Sequence, residues 1–190
     1  MRLIRSAAVY LAVALCANAA AAADLSALRT GEMAKLVPTA PPVPLPEVGL
    51  RDETDAPRSL AEYRGRHIVL NLWATWCAPC RTEMPQLQAL QAEMGGDRFA
   101  VVTVAVGRNA VPAIERFFAE AGVTDLPKLR DPGQDLAAAL GVFGLPVTLV
   151  VDPEGREIAR LTGEADWSSP EAKALVAALI AAPAAAPAAE

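Results

Sequence analysis

The sequence is short of metal-binding and phosphate-binding residues. Its 190 residues hold one histidine, His67, and three cysteines, of which Cys16 falls in an apolar leader. A tetrahedral zinc site takes four ligands, and Cys77, Cys80 and His67 cannot complete one. Basic residues are also scarce, 17 Lys+Arg against 22 Asp+Glu for a net charge of -5, and none are concentrated. This excludes a phosphate-tracking nucleic-acid binder and a polybasic membrane patch. Aromatic residues make up 5% of the chain while alanine and proline are heavily used, which points to low-complexity segments outside the core. What is plentiful is apolar residues, 53% of the total, enough for one domain of ordinary size with appendages.

The appendages lie at the two ends. Arg2 and Arg5 precede an apolar run from Ala7 to Cys16 and then an alanine-rich stretch with small-x-small sites at 17–19 and 21–23. This is the layout of a secretory signal. The same segment can be read as an uncleaved anchor, because residues 6–23 carry no charge and eighteen residues lie at the lower limit for a spanning helix. A lipoprotein signal through Cys16 fits less well, since leucine precedes the cysteine. Each alternative sends the rest of the chain across a membrane. Removal of residues 1–23 takes Arg2 and Arg5 with it, leaving 15 Lys+Arg against 22 Asp+Glu, a charge of -7, with Cys77 and Cys80 as the only cysteines. In an oxidising compartment such a pair can persist as a disulfide. Residues 24–37 suggest one short helix with Leu25, Leu28 and Leu36 near one side. The run PTAPPVPLP (38–46) reads as an extended, semi-rigid linker, so 24–44 forms a helix-plus-linker unit. The tail 182–190 has nothing to pack and is expected to be disordered. The domain itself is placed at 45–181.

Within the domain, HIVLNLWA (67–74) and RFAVVTVAV (98–106) are apolar runs rich in β-branched residues, as expected of strands buried on both faces. A helical pattern over 78–94 lies between them, giving a βαβ unit. Asn109 is positioned to cap a helix that runs to Gly122, and a shorter helix over 133–140 ends at Gly141. Two strands, 145–152 and 157–161, join through Pro153-Glu154-Gly155-Arg156 as a hairpin. A last helix starts at Ser169-Pro170. The order predicts an α/β fold of three layers, a mixed sheet flanked by helices.

The stretch WATWCAPCRTEMP (73–85) carries the chemistry. Cys77 falls where a strand gives way to a helix, and Cys80 lies one turn in. At this spacing a disulfide can form and open without unfolding the chain. Unpaired N–H groups and the partial positive charge of a helix start favour thiolate over thiol, and thiolate is the attacking species. Cys77 is therefore the expected nucleophile and Cys80 the resolving cysteine. Pro85 removes a helix hydrogen bond to the carbonyl of Arg81 and bends the axis.

WCAPC after a buried strand, the helix with its proline, and the entry Gly-Leu-Pro-Val-Thr (144–148) to a later strand resemble the thioredoxin superfamily. The longer run 73–85, with GLPVTLVVDPEGREIA (144–159) and GEADWSS (163–169), is similar to the TlpA/ResA-like branch of exported thiol–disulfide oxidoreductases, and nearest to its TlpA members. The resemblance spans about 45–180. It implies a thioredoxin-like fold with an extra helical insertion before the strand led by Pro146. It implies that Pro146 is cis and faces the disulfide, and that Leu145 offers its backbone to a client strand. Trp76, Ala78 and Pro79 would shape the docking surface, while Trp73 packs. At the position matching Glu83 the ResA-like proteins carry a functional glutamate, which would manage the cysteine protons. Thioredoxins proper usually carry an acid where this chain has Asn71, and an amide cannot act as a base. No cofactor beyond the Cys77–Cys80 disulfide is implied. The expected partners are disulfide-bearing proteins of cytochrome oxidase copper-centre or cytochrome c assembly, and a membrane electron donor of the DsbD or CcdA type. The chain is expected to act as a monomer.

Other readings of the pair differ in testable ways. Copper chaperones of the Sco type use more widely spaced cysteines and a distant histidine, and peroxidase relatives set their cysteine in other surroundings. A general oxidant or isomerase would share the residues and differ in reduction potential. A non-catalytic binding domain with a structural disulfide would fail to reduce insulin. A three-residue loop constrains the unfolded chain little, which disfavours that last reading.

Overall fold

The computed structural model describes residues 25–181. The leader and the 182–190 tail lie outside the described residues. The strands are β1 (Val37–Pro44), β2 (Leu50–Arg51), β3 (Pro57–Arg58), β4 (His67–Trp73), β5 (Phe99–Val106), β6 (Leu129–Asp131), β7 (Val147–Val151) and β8 (Arg156–Thr162). The α-helices are α1 (Ala78–Met94), α2 (Val111–Glu120), α3 (Asp135–Ala139) and α4 (Pro170–Ala181). They form one mixed sheet in the order β1-β8-β7-β4-β5-β6-β2-β3, with helices on both faces.

The centre is the pair of apolar runs. β4 and β5 lie parallel with Val69 opposite Val101 and Leu70 opposite Val102. Because strand side chains alternate, Val69 and Val101 face one layer and Leu70 and Val102 the other. The first layer packs Met84, Leu87 and Leu90 of α1, Phe117 and Phe118 of α2, and Leu175, Val176 and Leu179 of α4. The second packs Leu136 and Ala137 of α3 beneath Leu70, Leu72 and Val104. Both faces of β4 and β5 are thus covered, which is why neither strand alternates polar with apolar. Trp73 is buried against Phe117 and Phe118, ring centroids 5.5 and 5.6 Å away, in its expected packing role.

Three local expectations are revised. Residues 25–36 do not form one helix but two 3-10 turns, Leu25–Leu28 and Gly31–Lys35, separated by Arg29 and Thr30, with Gly31 opening the second at φ +51°. Leu25, Met33 and Leu36 are buried in the first core layer, so the packed unit begins well before residue 45. The proline-rich stretch is extended but is no linker: β1 pairs antiparallel with β8, Val37 opposite Arg160 and Pro44 opposite Arg156. Proline's fixed φ suits an extended edge strand, and its missing N–H leaves fewer free donors along that edge. The ladder is irregular between Pro38 and Val43, where the Ala40–Pro41 bond is cis. Finally, α2 starts after Ala110, not Asn109, and has no side-chain cap; Asn109 is engaged elsewhere.

Candidate active site

The C-terminal end of β4 and the N-terminal end of β7 lie side by side at one end of the sheet's central strands, since Leu72 pairs with Val147. From β4 the chain turns through Ala74–Cys77, closed by the Cys77 N–H donating to the Ala74 carbonyl at 3.1 Å, and enters α1. Cys77 is the N-cap residue, in extended conformation, and its Sγ accepts from the Cys80 N–H at 3.3 Å. The two cysteines are disulfide-bonded with Cα atoms 5.3 Å apart. Ala78 and Pro79 fill the first turn of the helix, where proline's missing N–H leaves nothing unsatisfied. Pro85 sits inside α1 without ending it.

Cys77 is 5% exposed and Cys80 is fully buried. Trp76, the residue before Cys77, is 68% exposed. Leu145 and Pro146 lead into β7, and their peptide bond is cis. The Pro146 carbonyl accepts from the Gly163 N–H at 3.0 Å, tying the loop before β7 to the loop after β8. One residue that sequence reasoning passed over is Phe143, almost wholly exposed in the same loop; a lone aromatic between Val142 and Gly144 carries no pattern that would single it out.

Glu83 lies one turn beyond Cys80 and is buried, 1% exposed. Its Oε1 accepts from Asn71 Nδ2 at 2.6 Å and its Oε2 from the Ala165 N–H at 3.4 Å. Burial pushes its pKa up to about 7, against the lowering effect of the Asn71 and Ala165 hydrogen bonds. The Trp167 indole N–H also lowers it while remaining outside hydrogen-bond geometry. Asn71 is opposite Thr148 in the β4–β7 ladder, and its Nδ2 also donates to Thr148 Oγ1 at 2.9 Å. An amide can donate to a carboxylate or, turned over, accept from a carboxylic acid, so Asn71 suits both protonation states of Glu83. Sequence reasoning found Glu83 and Asn71 separately. It missed that they bond each other and that Thr148, Ala165 and Trp167 complete the chamber, because these come from four distant stretches of chain.

A buried acid titrating near neutrality, one helical turn from a disulfide, can take up and release a proton as the disulfide opens and closes. His67, half-buried at the start of β4, stands at the opposite end of that strand from the cysteines.

Comparison with known proteins follows the same lines. The family model described as AhpC/TSA matches residues 41–158. The chain is 30% identical to the thiol-disulfide oxidoreductase ResA of Bacillus subtilis over 118 residues, 62% of this chain and 65% of that protein. It is 35% identical to the thiol:disulfide interchange protein HelX of Rhodobacter capsulatus over 126 residues, 65% of this chain and 66% of that one. It therefore spans just under two thirds of the length of these two relatives. The structure of a DsbF homologue from Corynebacterium diphtheriae is similar, with a TM-score of 0.61 and 28% identity, covering 76% of this chain and 90% of that one. The chain belongs to the AhpC/TSA family, with a thioredoxin-like fold that carries its cysteine pair at the start of α1.

Proposed function

We propose that this protein is an exported thiol–disulfide oxidoreductase whose dithiol form reduces disulfides in partner proteins. The observation that carries this reading is the bonded pair astride the N-terminus of α1, with Cys77 Sγ as the cap acceptor. In the dithiol form the Cys77 thiolate attacks one sulfur of a client disulfide. A mixed disulfide forms and one client thiolate leaves. Cys80 then loses its proton, attacks Cys77 Sγ and closes the Cys77–Cys80 bond, releasing the second client thiolate. Two electrons pass to the client. The proton of Cys80 goes to Glu83, since Asn71 has no basic site and Glu83 titrates near neutrality. Trp76, Ala78, Pro79 and the Leu145–Pro146 backbone form the surface on which the client strand lies.

The oxidised protein is recharged by a membrane dithiol donor of the DsbD or CcdA type. Its clients are assembly factors of cytochrome oxidase copper centres or of cytochrome c, a reading supported by the TlpA-like runs at 144–159 and 163–169. The protein works in the periplasm as a monomer, either freed by cleavage of the leader or tethered through residues 6–23. Capture with a Cys80→Ser variant, which stalls the mixed disulfide, tests the client class. Copper or haem assembly proteins are expected among the covalent adducts. Adducts without any such protein would remove that half of the proposal.

A further inference from the structure

Asn109 stands in the loop between β5 and α2, 8% exposed. Its Oδ1 accepts from the Thr75 N–H at 2.8 Å and from Thr75 Oγ1 at 2.9 Å. Its Nδ2 donates to the Val106 carbonyl at 2.9 Å, at the end of β5. One side chain thus ties a central strand of the sheet to the turn Ala74–Cys77. Thr75 and Trp76 are the two middle residues of that turn, and the next residue, Cys77, caps α1. The loop that holds Asn109 is itself fixed: Gly107 takes φ +76° and donates its N–H to the Asp131 carbonyl at 2.9 Å.

We propose that Asn109 is a positioning residue for the redox pair, holding the turn 74–77 so that Cys77 Sγ stays over the α1 N-terminus when the disulfide is open. In the oxidised protein the covalent bond to Cys80 keeps Cys77 on the helix. In the dithiol that bond is gone. What remains is the Arg81 N–H to Cys77 carbonyl bond at 3.1 Å, which holds the Cys77 backbone, the Cys80 N–H to Sγ contact at 3.3 Å, and the turn, closed by one backbone bond and braced by the Asn109 side chain. The favourable field of a helix start falls off within its first turn, so a small drift of Cys77 costs thiolate stabilisation. The inference rests on Cys77 being the attacking thiolate.

The test uses the full chain in a Cys80→Ser background. Iodoacetamide labelling is followed from pH 4 to 10, and the tryptic peptide 67–81 is quantified by mass spectrometry, which separates Cys77 from Cys16. The parent is expected to titrate below the free-thiol value. Asn109→Ala and Asn109→Leu should each raise the midpoint by about 0.5 unit, about threefold in labelling rate below it, with the plateau rate at high pH unchanged. Thr75→Val, which loses one of the two bonds, should shift it less in the same direction, and Thr75→Ser should restore the parent midpoint. If both Asn109 variants melt earlier but keep the parent midpoint, the clamp supports only the fold and the proposal is overturned. If the parent itself titrates near the free value of about 8.5, the reading of Cys77 as a stabilised thiolate fails first, and the inference falls with it.

Discussion

Replacing Glu83 with glutamine should make the folded protein more stable at alkaline pH. The side chain is buried and its pKa is pushed up to about 7 from an ordinary value of 4.5, first of all by desolvation. A carboxyl with a raised folded pKa is bound more tightly by its proton in the native state than in the unfolded chain. Its proton-linked stabilisation is fully present below pH ~4.5 and is lost as pH rises through ~7. At about 1.4 kcal/mol per pH unit of difference, the linkage between pH 5 and pH 8 comes to about 2–3 kcal/mol. Glutamine keeps the shape and can still meet Asn71, but does not ionise. Urea unfolding of the oxidised protein at pH 5 and pH 8 measures the effect. The parent should lose about 2–3 kcal/mol more than Glu83→Gln across that interval. Equal losses in the two proteins would mean that Glu83 titrates as an ordinary surface acid, and the proton route assigned to it would fail.

Other consequences follow from the same geometry. Met33→Ala should destabilise the protein by about 2–4 kcal/mol, because Met33 is fully buried in the core layer that holds α4; a change below about 0.5 kcal/mol in urea unfolding would show that the 25–36 segment is only loosely attached. Trp76→Ala should leave the melting temperature nearly unchanged, as the side chain is 68% exposed, while raising KM for a protein disulfide about fivefold or more; an unchanged KM would remove Trp76 from the docking surface. Equilibration of the Cys77–Cys80 couple with glutathione should give a potential well below about -120 mV, the value of a strong oxidant, and a value that high would reverse the direction of electron flow.

The sequence made the centre of this molecule legible and its periphery less so. The β-branched runs of β4 and β5 have little choice but to be buried on both faces, and the spacing of Cys77 and Cys80 marks a pair that can bond. Proline composition misled at 38–46, since the fixed φ of a linker residue is equally that of an edge strand, and only the presence of β8 alongside decides between them. Residues 25–36 misled because their leucines fit a helical period, while burial is set by α4 and the core that receive them. Asn109 misled in another way: asparagine before a helix suits a cap, but here a distant turn offers it two donors from Thr75 and α2 does without. The chamber around Glu83 drew on residues 71, 83, 148, 165 and 167, whose meeting is a product of strand order.

The central claim is that Cys77 attacks a partner's disulfide and Cys80 completes the exchange. It is tested most directly by mixing reduced protein with a model peptide disulfide and locating the adduct by mass spectrometry. With Cys80→Ser, a stable mixed disulfide should accumulate on Cys77. With Cys77→Ser, almost none should form at the buried Cys80. Adducts of equal yield on either cysteine, or no adduct on Cys77, would contradict the account.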